Sequence, residues 1–230
     1  ERERQVVLHE YVEDEDDPLS VAFRLFDKGC YGTHALGHPV IGRRRNIERF
    51  GRDELQHYVQ RQYTGANLVV AVAGDVSPEL IVREAEACFG ALPRGHDNAV
   101  AAPQWVGGLC SRALSGTPQT HAVLGFPIPG LRGTHAPAVV AATLLGDGMS
   151  SPLMDELRER RGLVYYAACS ADLLDSAGQF VIEASTSPQR LDEFFEHTVR
   201  LLLEQAGQVD SLQLARARRL LIVRHLRRQD

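Results

Sequence analysis

Apolar and polar residues follow helical spacing near both ends of the chain, and continuous apolar runs separate the helical stretches. Residues 1–29 repeat apolar positions with the period of a helix, and the acidic run 13–18 interrupts that repeat. We therefore predict a helix over 1–29 that is broken at the acidic run. Glycines and prolines within 29–51 predict a loop, and a helix is expected to follow over about 52–63.

Two further elements are predicted before the middle of the chain. A run of Leu, Val and Ala over 67–76 favours a buried strand. Ser77, Pro78 and Glu79 then supply a capping serine, a proline at the first helical position and a carboxylate in the first turn. These three residues predict a helix that ends near Phe89.

The second half shows the same succession of strands and helices. Strands are predicted near 105–114, 121–128, 163–171 and 179–186, and helices near 135–145, 151–161, 188–205 and 211–228. This mixture indicates an α+β fold of two similar α/β-roll domains, each with a mixed or antiparallel sheet packed with helices. We expect the first domain at 1–94, a linker at 95–104 and the second domain at 105–230, with both domains incomplete at their outer ends.

Charge and composition exclude several classes of protein. A net charge of −5 argues against nucleic-acid binding, and the arginine-rich stretch 216–228 is interpreted as the solvent face of an amphipathic helix. No apolar run approaches the roughly 20 residues that span a bilayer, so no membrane segment is predicted. The four cysteines form no C-x-x-C pair and so give no zinc knuckle.

Two glutamates near the start of the chain are the first candidates for chemistry. Glu3 and Glu10 are seven residues apart, which places them on one face of a helix, where a single site could use both. The spacing alone favours the simpler interpretation, two solvated glutamates on an amphipathic helix. The sequence contains neither H-E-x-x-H nor H-x-x-E-H, so no local motif builds a complete zinc site.

Five passages, taken in order, resemble the pitrilysin/insulinase family of zinc peptidases, whose inverted H-x-x-E-H motif is completed by a distant glutamate. They are residues 3–10, 34–42, 63–76, 146–151 and 157–165. The first is similar to the family's helix with that glutamate, the second to its His-Pro-Leu-Gly loop and the third to the strand that follows. The last two resemble the most specific part of its second domain. The resemblance implies the processing-peptidase-like metallohydrolase fold.

The resemblance also implies a set of site residues. Glu10 takes the position of the third zinc ligand, and Glu3 that of a supporting catalytic acid. Arg158 and Tyr165 correspond to the pair that binds the substrate carbonyl from the second domain, with the Tyr165 hydroxyl as donor to the developing oxyanion. Without the resemblance, Arg158 reads as an exposed helix charge and Tyr165 as a core aromatic.

The function implied is that of a fragment of a zinc metalloendopeptidase, which hydrolyses peptides or unfolded proteins by means of a zinc-bound water. The histidines and general base of the motif are expected upstream of Glu1. We therefore expect Zn2+ in the full-length protein, no zinc in this chain, and no activity of this chain alone. The alternative is a non-catalytic partner subunit or scaffold of a two-chain processing-peptidase-like complex. The expected protein partner is a second copy of the chain, as a homodimer, or a paired peptidase-like subunit. A soluble bacterial protein, periplasmic or cytoplasmic, is expected.

Overall fold

A computed structural model describes residues 1–227 of the chain. The first half is helical. Its helices are α1 (Arg2–Asp16), α2 (Pro18–Tyr31), α3 (Arg44–Arg49), α4 (Arg52–Gln62) and α5 (Pro78–Phe89). The predicted helices near 52–63 and 78–89 are confirmed, whereas α3 lies in a stretch that was predicted to be loop.

The break between α1 and α2 falls at Asp17, within the predicted interruption, although residues 13–16 of the acidic run are the last turn of α1. Asp17 caps α2 because its carboxylate accepts a hydrogen bond from the Ser20 amide at 2.8 Å, and Pro18 occupies the first turn, where no amide donor is needed. Helix α2 packs against the second half of the chain. Its buried residues are Val21, Cys30 and Tyr31.

The strand predicted over 67–76 is not formed, which corrects that prediction. Residues 68–73 have no regular structure, and Val69 is 88% exposed. A strand is stable only beside a neighbour that accepts and donates its main-chain hydrogen bonds, and no strand pairs with these residues in the described structure. The run is apolar, but without a neighbouring strand its side chains stay exposed.

The strand predicted over 105–114 is also not formed. Gly107 and Gly108 have φ values of +74° and +124°, which a regular strand does not accommodate. The stretch instead contacts α2: the Val106 amide donates to the Cys30 carbonyl at 2.8 Å, and Trp105 packs edge-to-face on Tyr31.

One antiparallel sheet is present among residues 1–227. Its strands are β1 (Thr120–Ile128), β2 (Val164–Leu173) and β3 (Gly178–Thr186), in the order β1-β3-β2. The central strand β3 is buried at most positions. This sheet with its packed helices confirms the α+β class and the three strands predicted near these positions.

Helices cover the sheet. They are α6 (Ala136–Gly146), the single turn α7 (Pro152–Met154), α8 (Leu191–Gly207) and α9 (Ser211–Arg227). The four helices predicted in this half are confirmed, although the predicted end at Arg228 lies outside the described residues. The hydrophobic core is built from side chains of this half. Its buried members are Ala122, Leu145, Leu153, Met154, Leu157, Leu163, Val164, Ala167, Ile182, Ala184, Phe194 and Leu201.

The chain divides into two compact units, one of residues 1–8 with 42–101 and the other of residues 9–41 with 102–230. Within the first unit, the turn Gly65–Asn67 is held to the following segment, where the Asn67 side chain bonds both His96 and Asn98. The domain boundaries predicted from the sequence remain a prediction. Within residues 1–227, no helix is long and apolar enough to cross a membrane.

Candidate functional site

Arg158 lies on an irregular helical segment. The turn α7 continues as a π-helix over Asp155–Arg160, in which each turn holds an additional residue. Leu157 in this segment is fully buried and anchors it in the core, whereas the Arg158 side chain is partly exposed. π-Helical turns are rare and occur frequently at functional sites, so the geometry marks this segment out.

Tyr165 lies at an irregularity of the sheet. Val164 pairs with Thr186 and Tyr166 pairs with Ser185, so that Tyr165 is the additional residue of a β-bulge. Its side chain is 76% exposed. The interpretation of Tyr165 as a core aromatic is therefore wrong, because Tyr165 follows the buried Val164 and the bulge leaves both Tyr165 and Tyr166 outside the core.

The structure brings Arg158 and Tyr165 together. The Arg158 guanidinium carbon lies 5.4 Å from the centroid of the Tyr165 ring, within the range of a cation–π interaction. Nη1 of Arg158 also lies 3.6 Å from the Met149 sulfur, and Nε lies 3.7 Å from a carboxylate oxygen of Glu159. These four side chains form one patch at the surface. We call Arg158 and Tyr165 the Arg–Tyr pair.

A charged cluster fastens the π-helix to α8. The Glu156 carboxylate accepts from Arg161 at 2.6 Å and from Arg200 at 3.3 Å, and His197 lies 3.7 Å away. The hydrogen bond from Arg161 and the neighbouring positive charges lower the pKa of Glu156, against the opposing effect of burial. Glu156 is thus held as a carboxylate one position after the start of the π-helix.

The turn between Arg158 and Tyr165 is also fixed. Gly162 has a φ of +58°, the left-handed conformation that ends helices and favours glycine. The carbonyls of Arg161 and Gly162 accept hydrogen bonds from the Arg190 guanidinium, and the Leu163 carbonyl accepts one from the Thr186 hydroxyl.

The two glutamates predicted to serve zinc lie on α1, as the spacing required. Glu3 and Glu10 are both exposed. Residues 1–227 contain no group of three or more His, Cys, Asp or Glu side chains that could hold a metal. A catalytic zinc takes three protein ligands, so the described residues do not by themselves fit one.

Sequence reasoning missed three residues of the site, Met149, Glu156 and Arg190. Met149 stands inside a passage that had been singled out, and its exposure beside Arg158 is visible only in three dimensions. Glu156 and Arg190 act on partners brought close by folding, such as the Gly162 carbonyl 28 residues before Arg190. A local sequence pattern does not predict contacts between residues so far apart in the chain.

Comparison with known sequences gives consistent results. A model of the peptidase M16 inactive domain matches residues 49–221. An uncharacterized zinc protease of Mycobacterium leprae is 33% identical over 219 residues, which cover 90% of this chain and 48% of that protein. The chain spans about half the length of the curated relatives it matches.

Comparison with solved structures shows the same fold. A peptidase M16 inactive domain from Pseudomonas fluorescens has a TM-score of 0.87 at 24% identity. The match covers 96% of this chain and 55% of the chain in that structure. A chain of complex III2 from Candida albicans has a TM-score of 0.89 at 15% identity, with coverages of 98% and 56%.

Proposed function

This chain belongs to the pitrilysin/insulinase peptidase family, M16, and we propose on that basis that it supplies the substrate-contacting face of a zinc endopeptidase. The observation that supports this best is the exposed Arg–Tyr pair, with its guanidinium 5.4 Å from the ring centroid. A β-bulge and a π-helix at the pair add weight, because both irregularities recur at active sites.

Arg158 is proposed to bind the substrate. Its guanidinium offers several N–H donors in a rigid plane, and one face of that plane is occupied by the Tyr165 ring. Nη1 and Nε lie near Met149 and Glu159, and the donors on Nη2 are proposed to bind a peptide carbonyl. The partial exposure of Arg158 lowers the cost of stripping water from the guanidinium when a substrate arrives.

Tyr165 is proposed to act on the reacting carbonyl. Its phenol is a hydrogen-bond donor on an exposed side chain, and a donor aimed at a carbonyl oxygen stabilises the charge that develops there. Its neighbour Tyr166 is already engaged, since its hydroxyl donates to Glu183 at 2.8 Å, and burial with this contact raises the pKa of Tyr166 to about 12. The two tyrosines therefore differ in the availability of their hydroxyls.

Glu10 is proposed as one zinc ligand and Glu3 as its supporting acid, with the other ligands supplied from outside this chain. Residues 1–227 alone do not supply the three ligands that a catalytic zinc takes. Chelator-sensitive cleavage is expected only from a longer form of the protein that supplies the remaining zinc ligands. Elemental analysis should find zinc in that form and none in this chain.

Substitution of the pair tests the proposal in that longer form. We expect Tyr165→Phe to lower kcat for a peptide by roughly 100-fold, since the loss of one oxyanion donor has effects of that order. Arg158→Gln should raise KM. Tyr166→Phe is the matched control on the same strand, and Arg160→Gln is the control on the π-helix. Equal activity of Tyr165→Phe and Tyr166→Phe, with zinc content unchanged, would contradict the assigned role.

A non-catalytic subunit or scaffold is the second candidate. It is favoured by the match to an inactive domain and by the likeness to a chain of complex III2. In that case the longer form binds no zinc and cleaves nothing, and Glu10→Gln leaves its properties unchanged. Activity that appears only after a second peptidase-like chain is added would support this candidate.

A further inference from the structure

Arg190 lies just after the last strand, and its side chain contacts the main chain between Arg158 and Tyr165. It ends the 3-10 turn Pro188–Arg190, and its side chain is 38% exposed. Nη1 donates to the Gly162 carbonyl at 2.7 Å, and Nη2 donates to the Arg161 carbonyl at 3.0 Å. These two carbonyls follow the last helical turn, where acceptors have no partner within the helix.

The segment that Arg190 holds is the short connection from Arg158 to Tyr165. On its inner side, the Gly162 amide donates to the Arg158 carbonyl at 2.8 Å, and the Leu163 amide donates to the Leu157 carbonyl at 2.7 Å. The turn is therefore bonded to the helical main chain on one side and to Arg190 on the other. A shift of the turn changes the distance between the guanidinium and the ring.

Thr186, at the end of β3, also bonds the connection from Arg158 to Tyr165. Its hydroxyl donates to the Leu163 carbonyl at 2.7 Å, and the residue is only 3% exposed. Because this buried bond remains when Arg190 is replaced, an Arg190 variant should still fold with β2 attached to β3. The function of Arg190 can thus be separated from the formation of the sheet.

We propose that Arg190 is a positioning residue, which sets the geometry of Arg158 and Tyr165 by bonding the Arg161 and Gly162 carbonyls. This proposal rests on the function proposed above for that pair. The simpler interpretation is a surface ion pair of Arg190 with Glu193, at 3.3 Å, which would leave the turn unaffected. The two interpretations predict different behaviour of the turn.

Amide hydrogen exchange of the 230-residue chain, measured by NMR, tests the anchoring. We expect Arg190→Ala to increase the exchange rates of the Gly162 and Leu163 amides by at least about five-fold, while β3 stays protected. Arg190→Lys should lie between, because an ammonium can reach one carbonyl but not two. Glu193→Ala, the matched control, removes the ion pair and should change nothing. Unchanged exchange in Arg190→Ala would overturn the anchoring.

Peptide cleavage by the longer form of the protein tests the functional part. We expect Arg190→Ala to lower kcat/KM roughly ten-fold, since misplaced groups have large effects on rate, while Glu193→Ala stays within about two-fold. Partial recovery in Arg190→Lys is expected. If Tyr165→Phe lowers cleavage and Arg190→Ala does not, the positioning role is wrong. If neither Tyr165→Phe nor Arg158→Gln affects cleavage, the function proposed for the pair is wrong, whatever the exchange data show.

Discussion

Glu156 concentrates the charge interactions beside the candidate site. It faces Arg161, Arg200 and His197, and its side chain is 18% exposed, so water screens these contacts only in part. Through Arg200 and His197 it ties the π-helix to α8. The cluster therefore contributes both to stability and to the support of the segment that carries Arg158.

The stability contributed by Glu156 should depend on pH. Its folded-state pKa is lowered, so its contribution is present above the pKa of the unfolded state and is lost as pH falls through the folded value. We expect Glu156→Gln to reduce the free energy of unfolding by about 1–2 kcal/mol at pH 7. The difference from the parent protein should shrink below about pH 4.5, the ordinary range for a glutamate.

Urea denaturation across this pH range measures the effect. Glu204→Gln is the control, because Glu204 is exposed and lies 3.9 Å from Arg200, in a weak surface pair. That variant should differ little from the parent protein at any pH. A Glu156→Gln deficit that is the same at pH 7 and pH 3 would argue against the ion cluster as its source.

At the scale of elements, α8 joins the core to the charged cluster. Its inner face buries Phe194 and Leu201 against the sheet, while its outer face carries Leu203 at 69% exposure. Two leucines on one helix thus differ almost only in burial. They allow the packing of α8 to be tested without a change in helix propensity.

We expect Leu201→Ala to lower the free energy of unfolding by about 2–4 kcal/mol, because a buried leucine leaves a cavity when it is truncated. Leu203→Ala makes the same chemical change on the outer face and should have an effect below about 0.5 kcal/mol. Denaturant titration compares the two. Similar losses in both variants would mean that α8 does not pack as described.

Elements defined by local chemistry were the ones that the sequence predicted well. α5 was predicted from Ser77 and Pro78, and in the structure the Ser77 hydroxyl accepts from the Leu80 amide at 3.4 Å. The segment 67–76 failed because a strand depends on a distant neighbour. The same holds for the site. Arg158 and Tyr165 were predicted from a sequence motif, whereas Arg190 could not be predicted because it bonds carbonyls far away in sequence.

At the scale of the whole molecule, the two compact units differ in burial. All of the core cluster lies in the unit of residues 9–41 and 102–230. In the other unit, whose residues are all described, Thr64 is the buried residue, and Val70, Val72 and Val82 are exposed. Apolar burial is the main source of protection against local opening.

Hydrogen exchange of this chain should therefore be uneven. We expect amides of 69–73 to exchange close to the rate of an unfolded peptide, while those of β3 exchange orders of magnitude more slowly. Mass spectrometry of peptic fragments resolves these regions. Slow exchange over 69–73 would contradict the expectation and would indicate that these residues have found a strand to pair with.

The bulge and the π-helix have a consequence for sequence change in this family. Each accommodates one residue more than regular structure allows. The π-helix, Asp155–Arg160, carries Arg158, and the bulge carries Tyr165. The approach of the two side chains is therefore encoded in the number of residues between them more than in their identity. Substitutions at the exposed positions Glu159 and Arg160 should be tolerated, whereas Gly162 has a φ of +58° that favours glycine. Loss of a single residue would return β2 to regular pairing and turn the tyrosine to the opposite face of the sheet.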